Sequence, residues 1–228
     1  MFKKTKRILS GLVAMSMMAL LTTGCGNTNS NEIKIGANLE MTGNTATFGQ
    51  SATNGAKLAI KQVNAKGGVL GKQITLVVAD NKSDTAEAAN AMQKLATQDK
   101  VIASIAPIAS SSVMAAAQVN ESAKILGISP TASNPNVTVD PETGKVRDYL
   151  FRATFIDPFQ GAVMANFAKN TLKAQKAAVY IENSSDYAKG LGKFFKETFV
   201  QNGGNIVSDE AYLAKDTDFK ATLTKIKA

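Results

Sequence analysis

The chain contains no histidine, no tryptophan and a single cysteine in 228 residues. Without histidine there is no Ser–His or Cys–His nucleophile and no His-ligated metal. With one cysteine, no disulfide can close within the chain. A block of lysines and arginines is also missing. Half of the formal charge of +8 sits at the start, where residues 1–24 hold four of the 26 basic residues and none of the 18 acids. The remainder carries 22 bases against 18 acids, a mild and scattered balance that excludes the basic stripe of a nucleic-acid binder. No nucleophile–base pair and no metal cluster is visible. The sequence therefore reads as a non-enzyme that needs no cofactor and no metal.

What is present begins with the position of that one cysteine. Lys3, Lys4, Lys6 and Arg7 precede an apolar run from Ile8 to Leu21, and Thr22-Thr23-Gly24 lead into Cys25. A basic start, an apolar stretch and small residues before a cleavage point make a secretory signal. Ser10, Gly11 and Ser16 interrupt the run, which falls short of the roughly 20 apolar residues of a membrane span. The layout resembles a bacterial lipoprotein signal, with one departure: Thr22 stands where a branched aliphatic is usual, and Leu21 lies one place earlier. The resemblance implies a signal peptide over residues 1–24, lipid attachment at Cys25 and a polar tether over 25–31. It places the protein on the outer face of the cytoplasmic membrane, which is the periplasm in a Gram-negative cell.

From Ile33 onward strand and helix signals alternate. Ile33–Leu39 reads as a strand. Ser51–Ala65 reads as a helix, with Ala52, Ala56, Ala59, Ile60 and Val63 inward, ended by Gly67-Gly68. Ile74–Ala79 is a nearly continuous apolar run, the pattern of a strand covered on both faces. Asp84 and Glu87 form a capping box before Ala88, Met92, Leu95 and Ala96. A strand at Val101–Ile105, a helix at Ser111–Lys124 and a strand at Ile125–Ile128 follow. Thr131–Arg147, with Pro135, Pro141 and Gly144, is a loop excursion. Leu150–Thr154 is extended. The alternation resumes with a helix at Pro158–Leu172, a strand at Ala177–Ile181, a helix at Tyr187–Gln201, a strand at Ile206–Tyr212 and a helix at Phe219–Lys227. This is an α/β fold with mostly parallel sheets flanked by helices. It divides into a first lobe over 32–154 and part of a second over 155–228, with the crossing near Phe151–Phe155.

In parallel α/β sheets ligands bind beyond the carboxyl ends of the strands, where helix N-termini point. Two such ends are rich in hydroxyls: Ala109-Ser110-Ser111-Ser112 and Ser129-Pro130-Thr131-Ala132-Ser133-Asn134-Pro135. Alone, Ser110–Ser112 read as N-cap residues. On neighbouring strands, the two loops together suit a carboxylate, held by free N–H groups and hydroxyl donors.

The stretches "IKIGANLEMTGNTATFGQSATNGAKLAIKQVNAKGGVLGKQITLVVADNKSD", "SSSVMAAAQ", "ISPTASNPNVT", "LFRATFIDPFQG" and "SSDYAKGLGKFF" run in order from Ile33. They resemble the branched-chain amino acid binding proteins of ABC importers, of the leucine/isoleucine/valine type. That resemblance implies the two-lobe periplasmic binding protein-like I fold, closing on its ligand across hinge strands, here with an incomplete second lobe. It implies a small, branched-chain or other aliphatic amino acid as ligand, importer permease subunits as partners, and a monomer. It assigns Ser110 to the ligand carboxylate, the Thr131 carbonyl to the ammonium and Ser133, in place of a threonine, to the head group. Phe48 becomes a wall against the ligand side chain, and Tyr187 a contact made on closure. Asp157 sits where related amino acid receptors keep an acid near the ammonium.

Other patterns have plain readings. Gly67–Lys72 is one residue short of a phosphate loop and reads as a turn. Gly190 and Gly192 mark close packing in a helix. Asp80 is a loop or cap residue as readily as a site acid, and Arg152 is a crossing residue paired to an acid. Fold alone does not choose the ligand. An amide, urea or aromatic acid, or a sensing role without transport, stay open beside the amino acid. A second lobe of two strands has barely enough sheet to close a core, so the chain reads as ending early, with apolar helix faces exposed.

Overall fold

Residues 32–227 are described by a computed structural model. The expected signal peptide, Cys25 and the tether lie outside them. Strands β1 (Glu32–Leu39), β2 (Gln73–Asp80), β3 (Ala103–Ile105), β4 (Leu126–Ser129) and β5 (Leu150–Arg152) form one sheet in the order β2-β1-β3-β4-β5. The pairs β1–β3, β3–β4 and β4–β5 are parallel. Their connections are α1 (Ala46–Ala65), α2 (Thr85–Lys94) and α3 (Ser110–Ala123). A second sheet pairs β6 (Lys176–Glu182) with β7 (Asn205–Tyr212) in parallel. Helices α4 (Asp157–Asn166), α5 (Asp186–Gln201) and α6 (Lys220–Lys227) precede, link and follow those strands. The mostly parallel α/β architecture is the one the alternation predicts.

Local chemistry explains the elements. The Asp84 side chain accepts from the Glu87 N–H and starts α2, one half of the expected capping box. Leu95–Asp99 then widens into a π-type turn that keeps Leu95 buried. Helix α1 starts five residues before the expected Ser51, so Phe48 is helical. Of its expected inward face, Ala52, Ala56, Ile60 and Val63 are partly buried, and Ala59 is exposed. Polar pairing adds to that face. Asn64 exchanges two 2.8 Å hydrogen bonds with the backbone of Ile74 at the start of β2. Buried Thr53 donates to Gly49 O at 2.9 Å. The apolar run of β2 is not covered on both faces: β2 is an edge strand, and Val78 is exposed.

Three apolar clusters fill the first sheet's layers. One joins Ala106, Val113, Ala117, Ala132, Val137 and Leu150; a second joins Met92, Leu95, Val101, Ala116 and Ile125; a third joins Ala37, Leu39 and Ile108. The second sheet has less to bury. Phe199 is fully buried, and Tyr180, Tyr212 and Phe219 meet edge to face with centroids 5.0–6.0 Å apart, a favoured aromatic geometry. Phe159, Val163 and Phe167, spaced four apart along α4 and the turn after it, are half or more exposed.

Helices α4 and α5 cross where Gly161 faces Phe194 and Phe195. A Cβ on residue 161 would lie 2.7 Å from Phe194 Cβ and 2.8 Å from Phe195 N. Neither atom can swing aside, so the helices would have to separate. Gly161→Ala is expected to destabilise the chain by about 1–3 kcal/mol, the usual penalty of overpacking. Urea unfolding of the two proteins checks this, and an unchanged midpoint refutes it.

Candidate functional site

Chain order places a switch point between β1 and β3: the connection from β1 leads to one side, the next returns to the other. Crevices at such points, beyond the carboxyl ends of strands, are where open α/β sheets take ligands. Here the loops after β1, β3 and β4 meet.

Buried side chains hold those loops. Glu40, directly after β1, is fully buried and accepts from Ile108 N at 2.9 Å and Ala109 N at 3.1 Å. Its carboxylate thereby fixes the loop that opens α3. Ser129 donates to Pro107 O at 2.7 Å, and Thr131 Oγ1 donates to Ile108 O at 2.8 Å. These two hydroxyls of the hydroxyl-rich second loop thus tie the loops after β3 and β4 together, and the Thr131 side chain stays apart from the carbonyl expected to meet a ligand. Arg152 binds the second loop by its carbonyls. Its guanidinium donates to Ala132 O, Asn134 O, Pro135 O and the Thr138 hydroxyl, at 3.3, 2.7, 3.2 and 2.7 Å. Burial lowers the Arg152 pKa, and the charge of Asp157 opposes that shift. The expected pairing of Arg152 to an acid is therefore only a longer-range attraction, because its donors are taken by carbonyls and a hydroxyl.

Ser110 is the first residue of α3 and is buried. Its Oγ accepts from Asn134 N at 3.3 Å. The residue in the cap position is Ala109, with no side-chain cap bond, so capping does not account for the serines. Ser111 Oγ accepts from Asp186 N at 3.1 Å, and Asn134 Nδ2 donates to Asp186 O at 2.8 Å. These two bonds bring the start of α5 onto the first sheet's loops. Ser133 is buried, and its carbonyl accepts from Asp157 N at 3.0 Å.

Asp157 opens α4 with 0% exposure, and neither carboxylate oxygen accepts a hydrogen bond of ordinary geometry. Burial pushes its pKa above the usual carboxylate value. The nearby Ser133 hydroxyl and the Arg152 charge pull the other way without overcoming burial. Gly190 of α5 covers it: a Cβ there would collide with Asp157 Oδ2 and approach Asn134 Nδ2.

The structure thus joins Ser110, Thr131, Ser133 and Asp157 in one hydrogen-bonded region. Tyr187 follows Asp186 directly, but its phenol accepts from Gln160 Nε2 at 3.0 Å on α4. Phe48 is 61% exposed on the first turn of α1, at the same edge of the sheet. Sequence reasoning missed Glu40, Ser111, Asn134 and Asp186. Asp80 has the loop role: it accepts from Met41 N, Thr42 N, Thr42 Oγ1 and Lys82 N at 2.7–3.2 Å. Desolvation opposes its charge, but the bonds from Lys82, Thr42 and Met41 outweigh it and lower its pKa. Among the described residues no group of three or more acids, cysteines or histidines could hold a metal, and no helix is long and apolar enough to cross a membrane.

The family model for periplasmic binding proteins matches residues 32–228. The chain belongs to that family. It is 33% identical over 223 residues to an amino acid binding protein of Pseudomonas aeruginosa, covering 98% of this chain and 58% of that one. It is 30% identical over 227 residues to the leucine-specific-binding protein of Salmonella typhimurium, covering 100% of this chain and 58% of the other. Among solved structures it resembles LivJ, the branched-chain amino acid transporter substrate binding protein of Streptococcus pneumoniae, in complex with isoleucine. The identity is 44% and the TM-score 0.78, over 86% of this chain and 54% of that chain. The chain spans a little over half the length of these relatives.

Two measurements probe the loop architecture. Glu40→Ala removes the acceptor of the buried Ile108 N–H and of the part-buried Ala109 N–H, and a buried N–H left unpaired costs about 1–3 kcal/mol. A loss of that order in urea unfolding is expected, and a neutral substitution would contradict the clamp. Asp157 behaves in the opposite sense. Its folded carboxyl holds a proton to higher pH than the unfolded one, so it subtracts stability at neutral pH and none below its ordinary value of 3.8. Ligand-free Asp157→Asn is expected to unfold at higher urea than the parent at pH 7, with the gap closing as pH falls toward 3.8. A less stable Asn variant at pH 7 would count against this.

Proposed function

We propose that the chain is part of an extracytoplasmic solute-binding lipoprotein. It captures a branched-chain or other aliphatic amino acid for an ABC importer, without chemical turnover. Lipid on Cys25 tethers it to the outer face of the cytoplasmic membrane. Residues 32–154 make the first ligand-binding lobe, and 155–228 part of the second. The observation that carries this reading is the meeting of Ser110, Thr131 and Ser133 at the N-terminus of α3, at the edge where parallel sheets bind ligands. The printed ligands of the relatives agree: leucine for the Salmonella protein and isoleucine for the Streptococcus structure.

Each role follows from the chemistry of its group. The Ser110 oxygen already accepts from Asn134 N. A hydroxyl that accepts keeps its own proton, so Ser110 can still donate to a carboxylate. Positive charge at the N-terminus of α3 adds to the attraction. The Thr131 side chain is engaged with Ile108 O, which leaves its carbonyl for the ammonium. Ser133 touches the head group. Asp157, buried at the start of the second lobe, supplies negative charge for the ammonium. Phe48 and Tyr187 close on the aliphatic side chain.

In the full chain, Ser110→Ala is expected to weaken leucine binding by about 1.5–3 kcal/mol, the worth of a hydrogen bond to a charged group. Unchanged affinity by calorimetry would remove Ser110 from the carboxylate site. A thermal-shift panel of aliphatic amino acids, amides, urea and aromatic acids identifies the ligand class, because a ligand of the folded state raises the melting temperature by mass action. Stabilisation by an aromatic acid alone would replace the amino acid reading.

A further inference from the structure

We propose that the amino edge of the first sheet, opposite the candidate site, docks on anionic lipid headgroups, which rests on the lipid-tethered reading above and assigns the face that a tethered chain turns to its membrane. The topology gathers the strand starts at this edge. Asn81 N donates to Leu39 O at 3.1 Å, so β1 and β2 end side by side and, at eight residues each, begin side by side. Ile35, Ala103 and Leu126 are partners across β1, β3 and β4, and Gly127 is the partner of Leu150 in β5. The segments that enter β2, β3, β4 and β5 therefore lie along one edge, with strands about 4.8 Å apart.

Each of those segments brings a lysine. Lys72, Lys100, Lys124 and Lys145 are all exposed, and among the described residues none is in an ion pair. Scattered along the sequence, they are brought together by the fold. Three of the segments add a large apolar side chain that nothing covers: Leu70 is 95% exposed, Val146 72% and Ile102 63%. Most acids nearby are engaged elsewhere. Asp99 pairs with Lys94, Asp140 pairs with Arg147, and Glu121 accepts from Asp148 N and Tyr149 N. Only at the β5 end, where Glu142 and Asp148 are exposed, is the charge mixed.

The backbone shows that these side chains are not by-products of the turns. Val69 and Lys72 exchange backbone bonds of 2.9 and 3.0 Å around Leu70 at φ 52° and Gly71 at φ 75°. Two positive φ values in a two-residue turn favour Asn-Gly, yet leucine holds the first position. Lys100 and Lys124 end the Leu95–Asp99 turn and α3 at φ 56° and 55°, where glycine or asparagine is usual. Left-handed backbone is unfavourable for a residue with a Cβ. Three such residues stand at one edge with their side chains in solvent, one apolar and two cationic. That pairing suits an anionic lipid surface, which attracts the charges and admits the apolar group into its interface. β1 starts at the same edge, and Ile33 stands eight residues on from Cys25. A chain of that length reaches about 29 Å at most, so a lipid on Cys25 keeps the edge near the bilayer and raises the local concentration of headgroups. Docking there leaves the candidate site, at the carboxyl edge, uncovered.

Vesicle sedimentation tests this with the full chain from residue 25 onward, carrying Cys25→Ser so that no lipid anchors it. The probes are vesicles of phosphatidylglycerol and phosphatidylcholine in equal parts, and of phosphatidylcholine alone. Binding to the anionic vesicles is expected to be about tenfold tighter or more, with the margin lost at high salt. Leu70→Asn, and the double variant Lys100→Asn with Lys124→Asn, should each weaken that binding by about tenfold or more. Asparagine suits a left-handed backbone, so both variants are expected to unfold at the parent's urea concentration or higher. Equal binding to the two vesicle types, or parent-like binding by either variant, overturns the proposal. So does a parent that binds neither, the result if the edge meets an acidic protein surface instead. Variants that unfold at lower urea also overturn it, because the side chains would then serve the fold. Mass spectrometry of the native chain separates the surface from the tether. Vesicle binding as expected with no lipid on Cys25 leaves the surface standing and removes the tethered reading.

Discussion

At the carboxyl edge of the first sheet the chain must turn sharply in buried surroundings, and backbone pairing within those turns leaves donors and acceptors that need side-chain partners. Buried polar groups left unpaired are costly. Two charged side chains of opposite sign meet the demand. Glu40 takes the N–H groups of the loop after β3, and Arg152 takes the carbonyls of the loop after β4. Each matches its partners in polarity, an acceptor with donors and a donor with acceptors. Ser129 and Thr131 then tie one loop to the other. Remove this arrangement and neither the start of α3 nor the Ser133–Asn134 segment has a defined place.

A site built this way is ordered before a ligand comes. Its backbone donors and hydroxyls are fixed by charge-assisted bonds, which are among the stronger ones in proteins. Ordering settled in advance leaves less entropy to lose on binding. The same economy explains why several hydroxyls face other loops. Within the cluster of serines and threonines, Ser129 and Thr131 build the edge through their hydroxyls. Sequence cannot single them out, because the residue types are identical.

The architecture was legible because it depends on periodicity. Alternating apolar runs and capped helices gave the α/β class and nearly every element. The adjacency of β3 and β4, which brings the hydroxyl-rich loops together, followed from the sequential order of the strands. Failures came where polar pairing acted beside pattern. Asn64 added a polar tie from α1 to β2, which an apolar count cannot foresee. β2 carried a buried-looking run onto an edge. Glu40 had the same signal as Asp80, an acid directly after a strand, yet its burial depends on the distant 108–109 backbone. Gly190 was legible as close packing, but what it packs on is 33 residues away in sequence and was not.

Asp157 and the contacts made by α5 act against each other. The two grips on Asp186 and the fit of Gly190 draw α5 down onto the first sheet's loops. In doing so they hold a carboxylate away from water, with only the nearby Ser133 hydroxyl to offset its lost hydration. Desolvation of a charge is a large penalty unless a partner offsets it. Arg152 attracts Asp157 but spends its donors on carbonyls. The arrangement is therefore closed but incompletely satisfied in charge. A cationic group reaching Asp157 would remove the penalty, so its binding free energy would add to the closed arrangement and not to an open one. Differential stabilisation of this kind is the only way a ligand can shift such a balance. In the proposed function, the ammonium of a zwitterion is that group: its carboxylate end meets a preformed site, and its ammonium end relieves the strain in charge that docking creates.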